Sequence, residues 1–114
     1  MSFTQYPNNQ TPNQILTAPG ATPTINTDAV AYVDLIGLNT AITSMTTYLS
    51  GSPNKGDTLW LTFTDNGTAR AITWGASFEA STVALPTTTV ISTRLDVGFI
   101  WNAVTSKWRC VATA

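Results

Sequence analysis

Hydrophobic and polar residues alternate with a period of two along much of the chain, and the clearest instance runs from Asp57 to Trp74. Leu59, Leu61 and Phe63 fall on one face of a strand, with Trp60, Thr62 and Thr64 on the other. Asp65-Asn66-Gly67-Thr68 comes next, then a second alternating run ending at Trp74. Asn-Gly readily takes the positive φ angles of a tight primed turn, so the pattern predicts an antiparallel hairpin of 57–65 with 69–74. A second hairpin is predicted near the end of the chain. There Leu95, Val97, Phe99 and Trp101 share a face opposite Asp96, Gly98 and Ile100, and 102–107 form the loop. The return strand sets Trp108, Cys110 and Ala112 against Arg109, Val111 and Thr113.

Between these signals the pattern is looser. Val30 to Ile36 reads as a first strand. Thr40 to Leu49 could hold a second. Helical spacing of Leu38, Ala41, Ile42, Met45 and Leu49 competes there, but the β-branched Thr40, Ile42, Thr43, Thr46 and Thr47 favour a strand. Gly51 to Gly56 is a turn cluster. Gly75 to Leu85 is a connection containing Phe78, and Thr87 to Ser92 a short strand after Pro86. Six or more short strands at regular spacing predict an all-β fold, an antiparallel β-sandwich of jelly-roll type.

Residues 1–24 differ from the rest. Pro7, Pro12, Pro19 and Pro23 oppose helix and central strand, while Phe3, Tyr6, Ile15 and Leu16 would gain from burial. The expectation is an extended N-terminal arm over 1–24 that lies on a neighbour, followed by a β-sandwich domain over 25–114; a disordered leader is the alternative. Phe3, Tyr6, Ile15 and Leu16 are the candidate partner-binding residues of the arm.

Composition sharpens this picture. Charged residues make up only 10% of the chain, against about 25% in ordinary domains, and 22 threonines stand in their place. Threonine is β-branched and keeps a hydroxyl in water, so it suits the outer faces of strands. The net charge of −1 lies below the magnitude of about 2–8 that keeps a small domain soluble, which points to surface buried in an assembly. Five scattered Lys and Arg form no basic patch, so nucleic acid is not an expected partner. No apolar stretch approaches the roughly 20 residues of a membrane span, and no signal peptide is expected at the N-terminus. The single Cys110 permits no internal disulfide.

The chain has no histidine, which removes Ser-His-Asp and Cys-His nucleophile systems and most catalytic zinc sites. Asp28, Asp34, Asp57, Asp65, Glu79 and Asp96 show neither calcium-loop spacing nor a carboxylate pair suited to glycoside cleavage. No catalytic residue, metal or cofactor is expected, and the chain reads as a non-enzyme. Asn66-Gly67-Thr68 has the form of a glycosylation sequon, but a turn accounts for it. Trp101 and Trp108 fall on the faces assigned to the core. Trp60 and Trp74 fall on outer faces, where a second layer, a subunit contact or a sugar would cover them, and both are candidate subunit-interface residues.

The stretch from Asp65 to Ala114 resembles a module found in structural proteins of tailed bacteriophages. The similarity rests on Asp65-Asn66-Gly67-Thr68-Ala69-Arg70-Ala71-Ile72-Thr73-Trp74, on Phe78, on Leu85-Pro86-Thr87-Thr88-Thr89, on Trp101-Asn102 and on Lys107-Trp108, and the lead-in from Ile25 extends it. In that family the module belongs to tail-fibre or virion proteins, and the resemblance implies a β-sandwich assembled around a threefold axis without catalytic residues. A short sandwich behind an arm, with no fibre shaft, looks like a capsid decoration (cement) protein. The expectation is a homotrimer on the head surface of the virion, made in the host bacterial cytoplasm, with the major capsid protein as partner. A tail-fibre tip or receptor-binding module contacting host surface glycans is the alternative.

Overall fold

Two long connections between parallel strands carry apolar side chains back over one face of a sheet, and that is how the core is built. The computed structural model describes residues 12–114. Strands β1 (Asn13–Thr17), β2 (Tyr32–Leu38), β3 (Thr58–Asp65), β4 (Phe78–Glu79), β5 (Leu95–Asn102) and β6 (Lys107–Thr113) form one six-stranded sheet in the order β1-β2-β3-β5-β6-β4. The described residues contain no helix. The sheet is mixed rather than antiparallel. β1 pairs with β2, β2 with β3 and β4 with β6 in parallel, while β3 with β5 and β5 with β6 are antiparallel.

A parallel pair needs a long connection. The segments between β1 and β2 and between β2 and β3 cross the inner face and place Ile25, Ile42 and Met45 against it. Opposite them lie Val33 and Leu35 of β2, Leu59, Leu61 and Phe63 of β3, Leu95, Val97, Phe99 and Trp101 of β5, and Trp108 and Cys110 of β6, all buried. The period-two reading of β3 and β5 therefore holds residue by residue on the core side. In β6 it holds through Cys110. The register then slips between Gly98 and Phe99, so that Ala112 pairs with Gly98 and Thr113 with Val97. Directly paired residues share a face, which moves Ala112 to the outer side.

The Asn66-Gly67 turn forms, but it does not lead into a hairpin. Gly67 takes φ +102°, and its N–H donates to the Asp65 carboxylate at 3.0 Å. Both edges of β3 are already occupied, by β2 and β5. The run after the turn instead passes beneath the sheet, where Ile72 and Trp74 are buried. It bonds to its neighbours there: Ile42 N–H donates to Ala71 at 2.9 Å, Thr73 N–H to Ile42 at 2.8 Å, and Ile72 N–H to Thr87 at 2.8 Å. The Thr40–Leu49 segment is extended but not a continuous strand, with isolated bridges at Ile42 and Thr46 and single hydrogen bonds such as Thr43 N–H to the Ala21 carbonyl at 2.8 Å. Thr87–Ser92 likewise contributes one bridge, Ala71 to Thr88. The layer over the core is thus a set of short segments tied by single bridges.

Ile15 and Leu16, expected on an arm against a neighbour, sit in β1 at the edge of the chain's own sheet, with Ile15 opposite Asp34 and Leu16 opposite Leu35. Leu16 packs against the core, and Ile15 points outward. An edge place suits this proline-flanked segment, because only one side of it has to pair. Phe3 and Tyr6 lie outside the described residues.

Candidate functional site

Trp60 and Trp74, grouped by sequence as outer-face residues, belong to different parts of the molecule. Trp74 is a core residue, 5% exposed. Its ring meets Phe63, Phe78 and Phe99 edge-on at centroid distances of 5.5, 5.1 and 5.3 Å, and its indole N–H donates to the Pro86 carbonyl at 2.7 Å. The correction stems from the missing hairpin: once 69–74 leaves the plane of the sheet, its alternation no longer refers to that sheet's two faces. Trp60 stays in β3 and faces outward, 40% exposed.

Trp60 lies directly opposite Gly98 of β5. A Cβ on Gly98 would stand 2.7–2.9 Å from Cη2, Cζ3 and Cζ2 of the indole, so the ring rests across the backbone where a side chain would otherwise be. Ile15, Ile36, Ile100 and Val111 are exposed on the same outer side. Five large apolar side chains on one sheet face, uncovered by any described segment, are more than scattered exposure requires. The Thr62 hydroxyl donates to Asp34, and Arg94 forms a two-point ion pair with Asp96 through Nε at 2.9 Å and Nη2 at 3.1 Å. The hydrogen bond and charge of Asp96 raise the Arg94 pKa above its ordinary value.

At one end of this face, beside the β5–β6 turn, an open cleft of about 450 Å³ is lined by Ile100, Trp101 and Val104 between Lys55 and Arg109. Arg109 approaches Glu79 at 4.0 Å. The Glu79 carboxyl is held below its usual range chiefly by the Asn102 amide, which donates to it at 2.9 Å.

The opposite end of the sheet holds a polar clasp. The buried Asp65 accepts from Ser92 N–H at 2.9 Å, Gly67 N–H at 3.0 Å and the Thr89 hydroxyl at 2.8 Å. The Ser92 bond is the largest cause of its lowered pKa; burial opposes, and Gly67, Thr89 and Arg70 add to the lowering. Arg70 donates to the Asn66 side-chain oxygen at 2.9 Å and to the Leu38 carbonyl at 3.3 Å. These bonds anchor the covering segments to the end of β3. Asp65 thus ties the turn to the covering segments, and Glu79 stands beside the other end of β5, far from it in the register. No group of three or more His, Cys, Asp or Glu suited to a metal occurs among the described residues. Cys110 is buried, and burial pushes its thiol pKa up.

Sequence reading named Trp60 as an interface candidate and Ile15 as an arm contact and set Ile100 and Val111 on faces away from the core, but it did not join them into one surface or single out Ile36. The available signal was the exposed apolar residue beside an inward one, Ile36 next to Leu35 and Ile100 next to Trp101, which breaks strict alternation. The chain matches no protein-family model and no curated protein.

Proposed function

We propose that this chain is a structural protein of a tailed-bacteriophage virion: a head decoration protein that assembles as a homotrimer and binds the major capsid protein. The observation that carries the reading is the apolar outer face of the sheet, Ile15, Ile36, Trp60, Ile100 and Val111, on a chain with very few charges. Covering such a face gains roughly 25 cal/mol per Å² before the costs of association. The outer edge of β1, unpaired among the described residues, adds a second reason to assemble, since open strand edges invite pairing. The sequence resemblance supplies the phage context, and the bridged segments over the core are read as the second leaf of a sandwich.

The test is addition of the purified chain to heads that lack it, with sedimentation of the heads and light scattering of the free protein. The proposal expects trimers that cosediment with heads, and a Trp60→Asp variant that stays folded but loses both properties. A chain that remains monomeric at micromolar concentration and does not bind heads overturns it. Removal of residues 1–11, which carries away Phe3 and Tyr6 but keeps β1, should weaken attachment without unfolding the domain. A second reading, a tail-fibre module contacting host glycans, draws on the exposed Trp60 indole and the cleft between Lys55 and Arg109.

A further inference from the structure

We propose that Asn66 is a self-modifying residue, converted by its own turn to aspartate and isoaspartate through a succinimide. The geometry brings together the four groups the reaction needs. Gly67 supplies the nucleophile, its backbone nitrogen. The residue is exposed and adopts φ +102°, and no heavy atom lies within 4 Å of the place a Cβ would occupy, so no side chain crowds the turn beside that nitrogen. The Gly67 N–H already points at the Asp65 carboxylate, 3.0 Å away. That carboxylate is ionised at neutral pH and already accepts the hydrogen bond of the proton to be removed, the position of a general base; its lowered pKa makes it a weak one, so most of the acceleration falls to the electrophile's side of the turn. The electrophile is the Asn66 side-chain carbon. Its oxygen accepts a hydrogen bond from the Arg70 guanidinium at 2.9 Å. Arginine only donates, so the atom it meets is the oxygen, and a charged donor there polarises the carbonyl and stabilises the oxyanion formed on attack.

The steps balance with water as the only added reactant. The Gly67 nitrogen bonds to the Asn66 side-chain carbon while its proton passes to Asp65. The carbon–nitrogen bond of the amide then breaks, and the departing group takes that proton and leaves as ammonia, which closes the succinimide. Water opens the ring at either carbonyl. Opening at the side-chain carbonyl gives aspartate with the original backbone, and opening at the backbone carbonyl gives isoaspartate. Either product places a new carboxylate in reach of Arg70 and makes the net charge of the chain one unit more negative.

Asn-Gly pairs also react in this way in unfolded peptides, because glycine leaves its nitrogen unhindered, so the inference concerns the folded turn: Asp65 and Arg70 should make the reaction faster than in the unfolded chain. The test incubates the full chain at mildly alkaline pH, folded and in concentrated urea, and tracks Asn66 by peptide mapping for the mass gain of amide-to-carboxylate exchange. The folded chain should lose Asn66 faster. Arg70→Gln should slow the loss about tenfold, less than the ~10²–10³ of a buried oxyanion donor because this turn is open to water. Arg70→Lys should fall between the two. A folded chain that reacts more slowly than the unfolded one overturns the proposal, as does an Arg70→Gln rate equal to or above that of the parent. Far-UV circular dichroism checks that the variants fold; if Arg70→Gln does not, the folded-against-urea comparison decides alone.

Discussion

Replacing Trp74 by phenylalanine separates the core role of this residue from the surface role its sequence position suggested. Phenylalanine keeps one aromatic ring for the contacts with Phe63, Phe78 and Phe99, at 5.1–5.5 Å. It loses the indole N–H that donates to Pro86 at 2.7 Å and leaves that carbonyl without its partner. An orphaned buried acceptor costs about 1–3 kcal/mol. The vacated ring volume adds about 1 kcal/mol at roughly 24 cal/mol per Å³. The expected loss is therefore about 2–4 kcal/mol, a large share of the ~5–15 kcal/mol that holds a domain folded. At roughly 4 °C per kcal/mol, Tm should fall by about 8–16 °C. Urea denaturation monitored by circular dichroism reads the free energy, with Trp60→Phe as the control. Trp60 is 40% exposed, and its substitution should cost within about 1 kcal/mol. Equal losses for the two variants, or a loss below about 1 kcal/mol for Trp74→Phe, would refute the reasoning.

The same contacts set other outcomes. Trp108 is as buried as Trp74, but its indole N–H meets no acceptor among the described residues, so Trp108→Phe should cost less than Trp74→Phe in the same urea assay. The Asp65 carboxyl is depressed below 3.8 in the folded state, so its contribution to stability is complete above that pH and is lost as the pH falls through the folded value. Asp65→Asn should accordingly flatten the acid limb of a stability-against-pH curve, while an unchanged limb would remove the clasp from the account. Cys110 is buried with a raised pKa, so a thiol reagent should label it at the rate of unfolding, and prompt labelling of the folded chain would contradict its placement. Gly98→Ala should push the Trp60 indole off the sheet, shifting its fluorescence while leaving the fold intact.

Where neighbours in sequence are also neighbours in the sheet, alternation was enough to read the fold. The buried side of β3 emerged from Leu59, Leu61 and Phe63, and the β5–β6 hairpin from Leu95, Val97, Phe99 and Trp101 followed by Trp108 and Cys110. The Asn66-Gly67 turn was legible as a turn, but the path of the chain beyond it was not. Turn chemistry fixes local φ and ψ, whereas the partner of β3 was decided by competition at its two edges, won by β2 and β5. The parallel pairing of β1 with β2 was hidden for a similar reason. Proline and asparagine mark residues 1–24 as irregular, and nothing local reports that five of them, Asn13–Thr17, add to a sheet edge. At the candidate site, Trp60 could be placed on an outer face by period, but its seat on Gly98 depends on a cross-strand register that spacing does not encode.

Copy number per virion, measured by quantitative protein analysis against the major capsid protein, tests the proposed role most directly. The account predicts a ratio equal to that of the shell protein or a simple fraction of it. A few to a few dozen copies would place the chain in the tail and favour glycan contact, and absence from the particle would contradict a virion role altogether.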